Sequence, residues 1–193
     1  MGDSTTTREP FTGEIGPSMA EFSDEYMTYV EDHLADDLAE VPERILAMLR
    51  SMRGLMQGFQ IDQLENCLQT ATRAERAGAD IDMVVASLCH DMGKTISNAN
   101  HPAIAAEMIR PFVRDDVYYA IKYHQDFQGK HYYQHFGKPQ DLRDQYRDEP
   151  WFALAEQFAD EWDQAAFDPD YDTLPLEHFE PLVREITAMP KSF

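Results

Sequence analysis

The sequence predicts an all-α protein, and three observations carry that prediction. Apolar residues recur at helical spacing in segment after segment, no stretch keeps the alternation of a half-buried strand, and Asp, Pro and Gly punctuate the chain at helix-length intervals. With 193 residues the chain can bury one sizeable core, and it has no internal period. The expected architecture is a compact, single-domain helical bundle with an additional N-terminal helical segment.

The elements follow in order. Residues 1–18, rich in Thr, Gly and Pro, read as a mobile arm before a domain spanning 19–193. Within it, two N-terminal helices occupy 19–57. Ser18 to about Ala35 is acidic with Phe22, Tyr26, Tyr29 and Leu34 near one face; Val41-Pro42-Glu43 opens the second, striped by Ile45, Leu46, Leu49 and Met52. Asp62 caps a helix running to Gly78, with Leu64, Leu68 and Ala71 inward and Asn66 on a flank. Asp80 or Asp82 starts the next helix, too apolar to be exposed, and Gly93 stops it just after His90-Asp91. His101-Pro102 begins a further helix, Val117–His124 another, and Gln125 to about Asp148 reads as an irregular, aromatic loop or lid. Phe152–Ala166 and Leu176 to about Thr187 complete the bundle.

Sixteen basic against thirty-six acidic residues give a net charge of −20, which repels phosphate backbones and anionic lipid, so neither nucleic acid nor a membrane surface is an expected partner. No apolar run approaches the roughly 20 residues of a membrane span. Cys67 and Cys89 fall in core helices and read as buried free thiols of a reducing compartment, the cytoplasm.

An isolated His-Asp pair at a helix end is more often a capped histidine beside a surface carboxylate. Here it does not stand alone: His90, Asp91, His101, His124 and Asp163 lie on four predicted helices that can converge. Nitrogen plus carboxylate ligation suits iron, manganese or zinc, and a shared Asp91 can bridge two ions about 3.5–4 Å apart. His131 and His135, four apart, have a metal-compatible spacing, although aromatic packing with Tyr132 and Tyr133 explains them as well. His178 reads as a structural contact and His33 as a surface residue.

His90-Asp91, His101, His124 and Asp163 together resemble the HD-domain superfamily. Gln63-Leu64-Glu65-Asn66-Cys67-Leu68-Gln69, Ala77-Gly78-Ala79-Asp80-Ile81 and His90-Asp91-Met92-Gly93 are similar to its mixed-valent diiron oxygenases that cleave organophosphonates, as are Trp162-Asp163 and Pro175-Leu176-Glu177-His178-Phe179. The resemblance covers a metal-binding core of about 60–185. It implies two iron ions, Fe(II) and Fe(III), with Asn66, His90 and Asp163 on one, His101 and His124 on the other and Asp91 between them. It also implies catalytic roles for Asp91 and Lys94, with Lys94, Gln128 and Asp160 facing the substrate.

The chain departs from that pattern in two places. Asn66 stands where the superfamily has a metal-binding His, which leaves one ion weakly held, a single-metal site, or a degenerate non-catalytic relative. Gln128 and Asp160 stand where the phosphonate enzymes have basic residues; Asp160 reverses the local charge and points to an ammonium-bearing or neutral substrate. The expected activity is oxygenase cleavage of a C–P, other carbon–heteroatom or C–C bond in a small hydroxylated molecule by O2. The alternative is a metal-dependent phosphohydrolase, which Lys94 favours and the acidic surface does not.

Overall fold

Asp62 and Asp80 each turn a carboxylate onto the backbone amide three residues ahead, Glu65 at 2.9 Å and Met83 at 3.1 Å. Two helices begin there, α3 (Gln63–Arg76) and α4 (Ile81–Cys89), and the rest of the main body is packed around them. The computed structural model describes residues 9–188, 190 and 191. Among these there are no strands, and no helix is long and apolar enough to cross a membrane.

The chain divides into two compact units at Val41/Pro42. The first contains a 3-10 turn (Met19–Glu21) and α1 (Asp24–Ala39), capped by Ser23. α1 has no buried residue. The described part of the arm, 9–18, is tied to α1: Phe11 packs on Tyr26 and Tyr29 at 5.1 and 5.2 Å, and the Tyr29 hydroxyl donates to the Glu9 carbonyl.

In the second unit, α2 (Val41–Ser51) buries Ile45, Leu46 and Leu49. α4 is buried from Asp82 to Cys89 because nearly every one of its side chains is apolar and α3, α5 (His101–Ile109), α6 (Asp115–Lys122) and α9 (Leu176–Thr187) surround it. Its buried Asp82 is satisfied by the Arg114 amide and the Lys191 ammonium.

Several expectations are corrected. α4 ends at Cys89, with His90 as its cap, and Gly93 lies inside a following 3-10 turn (Met92–Thr95). The expected 117–124 helix stops at Lys122, and α7 (His124–Tyr132) begins after Tyr123. The irregular lid is therefore partly helical, with α7 followed by 3-10 turns at Tyr133–Phe136 and Leu142–Tyr146; α7 escaped notice because its polar and aromatic residues leave no apolar stripe. The 152–166 helix is α8 (Phe152–Gln157) running into a π-helical turn (Phe158–Asp163). Asn66 is on no flank: it is fully buried, where α3 faces α4 and the π turn.

Candidate metal centre

Three histidines share one local device. His90 caps α4, His101 opens α5 and His124 opens α7, so each ring can bend back onto the carbonyl three residues before it. The Nδ1–H of His90 donates to Ser87 (2.8 Å), that of His101 to Asn98 (3.0 Å) and that of His124 to Ile121 (2.7 Å). A proton held on Nδ1 leaves Nε2 as the lone-pair nitrogen, the tautomer that ligates metal when the other nitrogen is tethered.

Those Nε2 atoms converge on Asp91. Its Oδ2 is 3.4 Å from His90; its Oδ1 is 3.0 Å from His101 and 3.7 Å from His124. Asp163 approaches His90 from the other side, with Oδ1 3.4 Å from Nε2. One carboxylate thus faces two groups of nitrogen donors, one through each oxygen. Ligand atoms of His90, Asp91 and His124 all lie within 4.8 Å of one another.

Four buried atoms test whether a metal fits. His90 Nε2, Asn66 Oδ1 and both oxygens of Asp163 have no hydrogen-bond partner. Leaving such atoms bare in a dry interior is costly, and all four are nitrogen or oxygen atoms able to ligate a cation. Asn66 is informative here. Its Nδ2 donates to the Ala166 carbonyl at 2.9 Å, which fixes the amide so that oxygen is the atom left over. The residues present fit a cation.

The π turn belongs to this construction. Gln164 N–H bonds to the carbonyl five residues back, Ala159, and the surplus residue turns Asp163 inward. α3 then grips the segment beyond it. Besides Asn66 and Ala166, Gln69 exchanges bonds with the backbone of Asp168, and Thr72 receives the Leu174 amide. Phe158 closes the apolar side with its ring edge-on to His90 (5.5 Å) and His124 (6.0 Å).

Charges shift accordingly. Burial disfavours a charged His90, but the carboxylates of Asp91 and Asp163 outweigh it and hold the imidazole well above its ordinary value. Burial also works against ionised Asp91, and His90 and Lys94 overcome it, holding the carboxyl well below the usual range. His124 is pushed down by burial, and the Cys67 and Cys89 thiols are pushed up by it, so both cysteines stay protonated and inert.

Lys94 points into the site. Its ammonium lies 2.5 Å from Asp91 Oδ2 and 2.7 Å from Gln63 Oε1, a buried amide to which the sequence pattern assigns no role. Gln128 is half-buried on α7, one turn after His124 and so on the same side of that helix. A further turn on, Tyr132 is held above its ordinary value mainly by burial, and it feels both Asp163 and Lys94.

Asp160 stands apart from this group. Its two oxygens take Arg143 Nη1 (3.0 and 3.1 Å), His131 Nε2 (2.8 Å) and Lys130 Nζ (3.2 Å), a network invisible in the sequence because the partners come from two other segments. His135 is exposed beside Gln134, so His131 and His135 do not form a pair. His178 pairs with Glu75, and His33 bonds to the Tyr29 carbonyl.

Comparison with known proteins agrees with the helical fold. No curated protein matches the chain. The model of the family described as HD domain matches residues 64–167, more than half of the chain and every residue from Asn66 to Asp163 that converges here. The chain belongs to the HD domain family, whose members are generally metal-dependent enzymes.

Proposed function

We propose that this protein is a non-haem diiron oxygenase that cleaves a C–P, or another carbon–heteroatom or C–C, bond of a small hydroxylated substrate with O2. The observation that carries the reading is Asp91: its two oxygens face separate sets of imidazole nitrogens, each pre-oriented by a backbone carbonyl. His90, Asp163 and Asn66 would hold one iron, His101 and His124 the other, and Asp91 would bridge them. The irons supply binding of the substrate hydroxyl and reduction of dioxygen. The reaction needs no external reductant: a 1-hydroxyalkylphosphonate plus one O2 balances as a carboxylic acid plus phosphate, with one oxygen atom delivered to each.

The chain's own groups have definable tasks. Phe158 and the buried walls of α3 and α4 keep water from the histidines. Lys94 offsets the negative charge of Asp91 and, held by Gln63, presents a donor at the site's edge. Gln128 and Tyr132 border the substrate side. Asp160 is already engaged by Arg143, Lys130 and His131 and is not free to hold an ammonium group, so a neutral or weakly charged end suits the site better.

The rival reading is a phosphohydrolase, in which the same ligands would activate water. Lys94 favours it. Against it, Lys94 is committed to Asp91 and Gln63, and Arg143 and Lys130 to Asp160, which leaves few cations for a phosphate; the same shortage, within the oxygenase reading, favours another carbon–heteroatom or C–C bond over C–P. Buried free thiols suit a reducing compartment, and we place the protein in the cytoplasm.

Iron per chain in anaerobically purified protein, with an electron paramagnetic resonance spectrum after partial oxidation, tests the proposal. Two irons and a mixed-valent signal are expected; Asp91→Ala should strip both ions, and Asn66→Ala should leave one. A protein that loads only zinc or manganese, shows no such signal and hydrolyses phosphomonoesters is a hydrolase instead.

A further inference from the structure

A second cleft, built by residues with no part in the metal centre, lies where α6 meets the segment leading into α8. Its cavity of about 470 Å³ is walled by Tyr119, Tyr123, Tyr146 and Trp151 and rimmed by Asp115 and Glu149. The rings form a panel. Tyr119 and Tyr123 are parallel within 3°, their centroids 6.4 Å apart, and Trp151 stacks against both at 5.6 and 5.3 Å. Tyr146 leans on Tyr123 at 4.6 Å, and its hydroxyl is tied to Asp126 at 3.0 Å.

The fold explains only one side of this panel. Trp151 is buried in a core cluster with Phe127 and Ala155, and Tyr119, Tyr123 and Tyr146 pack against that cluster but are only half-buried and keep surface on the cavity. The rim is acidic. Arg114, the one base paired there, is consumed by Asp80 and Asp116, and neither Asp115 nor Glu149 has a cationic partner among the described residues. Aromatic π density backed by unpaired carboxylates attracts a cation that is too weakly hydrated to prefer water. A bare metal ion is a poor match, because the walls offer rings where it would need oxygen ligands.

We infer that this cleft binds a small organic cation with a substituted ammonium head, the alkyl groups resting on Tyr119, Tyr123 and Tyr146 and the charge facing Asp115 and Glu149. This inference is independent of the chemistry proposed for the metal centre.

Titration calorimetry of the full chain with choline and with its uncharged carbon analogue, 3,3-dimethylbutan-1-ol, tests it. Choline should bind about tenfold more tightly, the size expected of a cation on partly desolvated rings. The doubly neutralised Asp115→Asn, Glu149→Gln variant, which changes only exposed groups, should lose most of that preference. Asp91→Ala, which disables the metal centre, should keep it. Free lysine, with its hydrated ammonium, should bind more weakly than choline. Equal binding of the two isosteres, retention of the preference in the double variant, or its loss in Asp91→Ala would each overturn the assignment, as would no binding at all by the wild-type chain.

Discussion

The carbonyl oxygen of His101 passes 2.2 Å from where a Cβ on Gly93 would stand, and the His101 Cα lies 2.7 Å from the same point. This close pass of backbone on backbone brings the first residue of α5 against the turn that carries Asp91, and sets His101 Nε2 3.0 Å from that carboxylate. Both sides of the contact are main chain, so neither can yield by changing a rotamer. Gly93→Ala should therefore push α5 away from Asp91. A stability loss of about 1–3 kcal/mol is expected from overpacking, with a drop in metal bound per chain. Unchanged thermal unfolding and full metal content would show that the turn can relax.

His90 makes a pH prediction for the metal-free protein. Its folded-state value is raised above the ordinary 6.5, so the stability it contributes is complete below pH 6.5 and is lost as pH rises through the folded value. His124 is lowered, so its effect lies below pH 6.5, and Asp91 titrates lower still. Above pH 6.5, therefore, only His90 among these three imposes a slope. Denaturant midpoints of the metal-free chain should fall as pH rises above 6.5. Added metal should reduce or reverse the trend, because the ion replaces the proton on Nε2. A midpoint that rises with pH over this range in the metal-free state would contradict the assignment.

Asp160 and Arg143 should behave as a structural pair. Arg143 is 8 % exposed and also reaches Glu156, so removing its partner leaves a guanidinium largely shielded from water. Asp160→Asn should cost about 2 kcal/mol, between the values for exposed and for fully buried pairs. The carboxyl is held below its ordinary value: burial opposes this and the bonds from His131, Arg143 and Lys130 prevail. Its contribution is thus present above the ordinary carboxylate value and is lost as pH falls through the folded one. The difference between wild type and Asp160→Asn should close on acidification below about pH 4. If the variant instead keeps full stability but changes discrimination between amine-bearing and amine-free substrates, Asp160 faces the substrate after all.

What was legible in the sequence was local. The Asp62 and Asp80 caps, the Pro-marked start of α5 and the stripe of α9 each depend on residues within a turn or two, and each appears where those residues put it. The five acidic and imidazole side chains that meet at the candidate centre could be named because few residue types offer such donor atoms. Their tethers could not: every residue has a carbonyl, so nothing distinguishes Ser87, Asn98 or Ile121. The break at Tyr123, the π turn and the cations around Asp160 depend on neighbours distant in the chain and leave no periodic trace.

A π turn is an ordinary helix carrying one surplus residue, so Phe158–Asp163 sits a single deletion away from regular α-helix. Such a deletion would close the bulge and change where the side chains within it point. Asp163, the last residue of the bulge, would swing off His90. Spelling is therefore freer than spacing in this stretch: exposed Glu161 can be exchanged for many residues, whereas descendants of this chain that gain or lose one position between 158 and 163 would be expected to forfeit the centre whole.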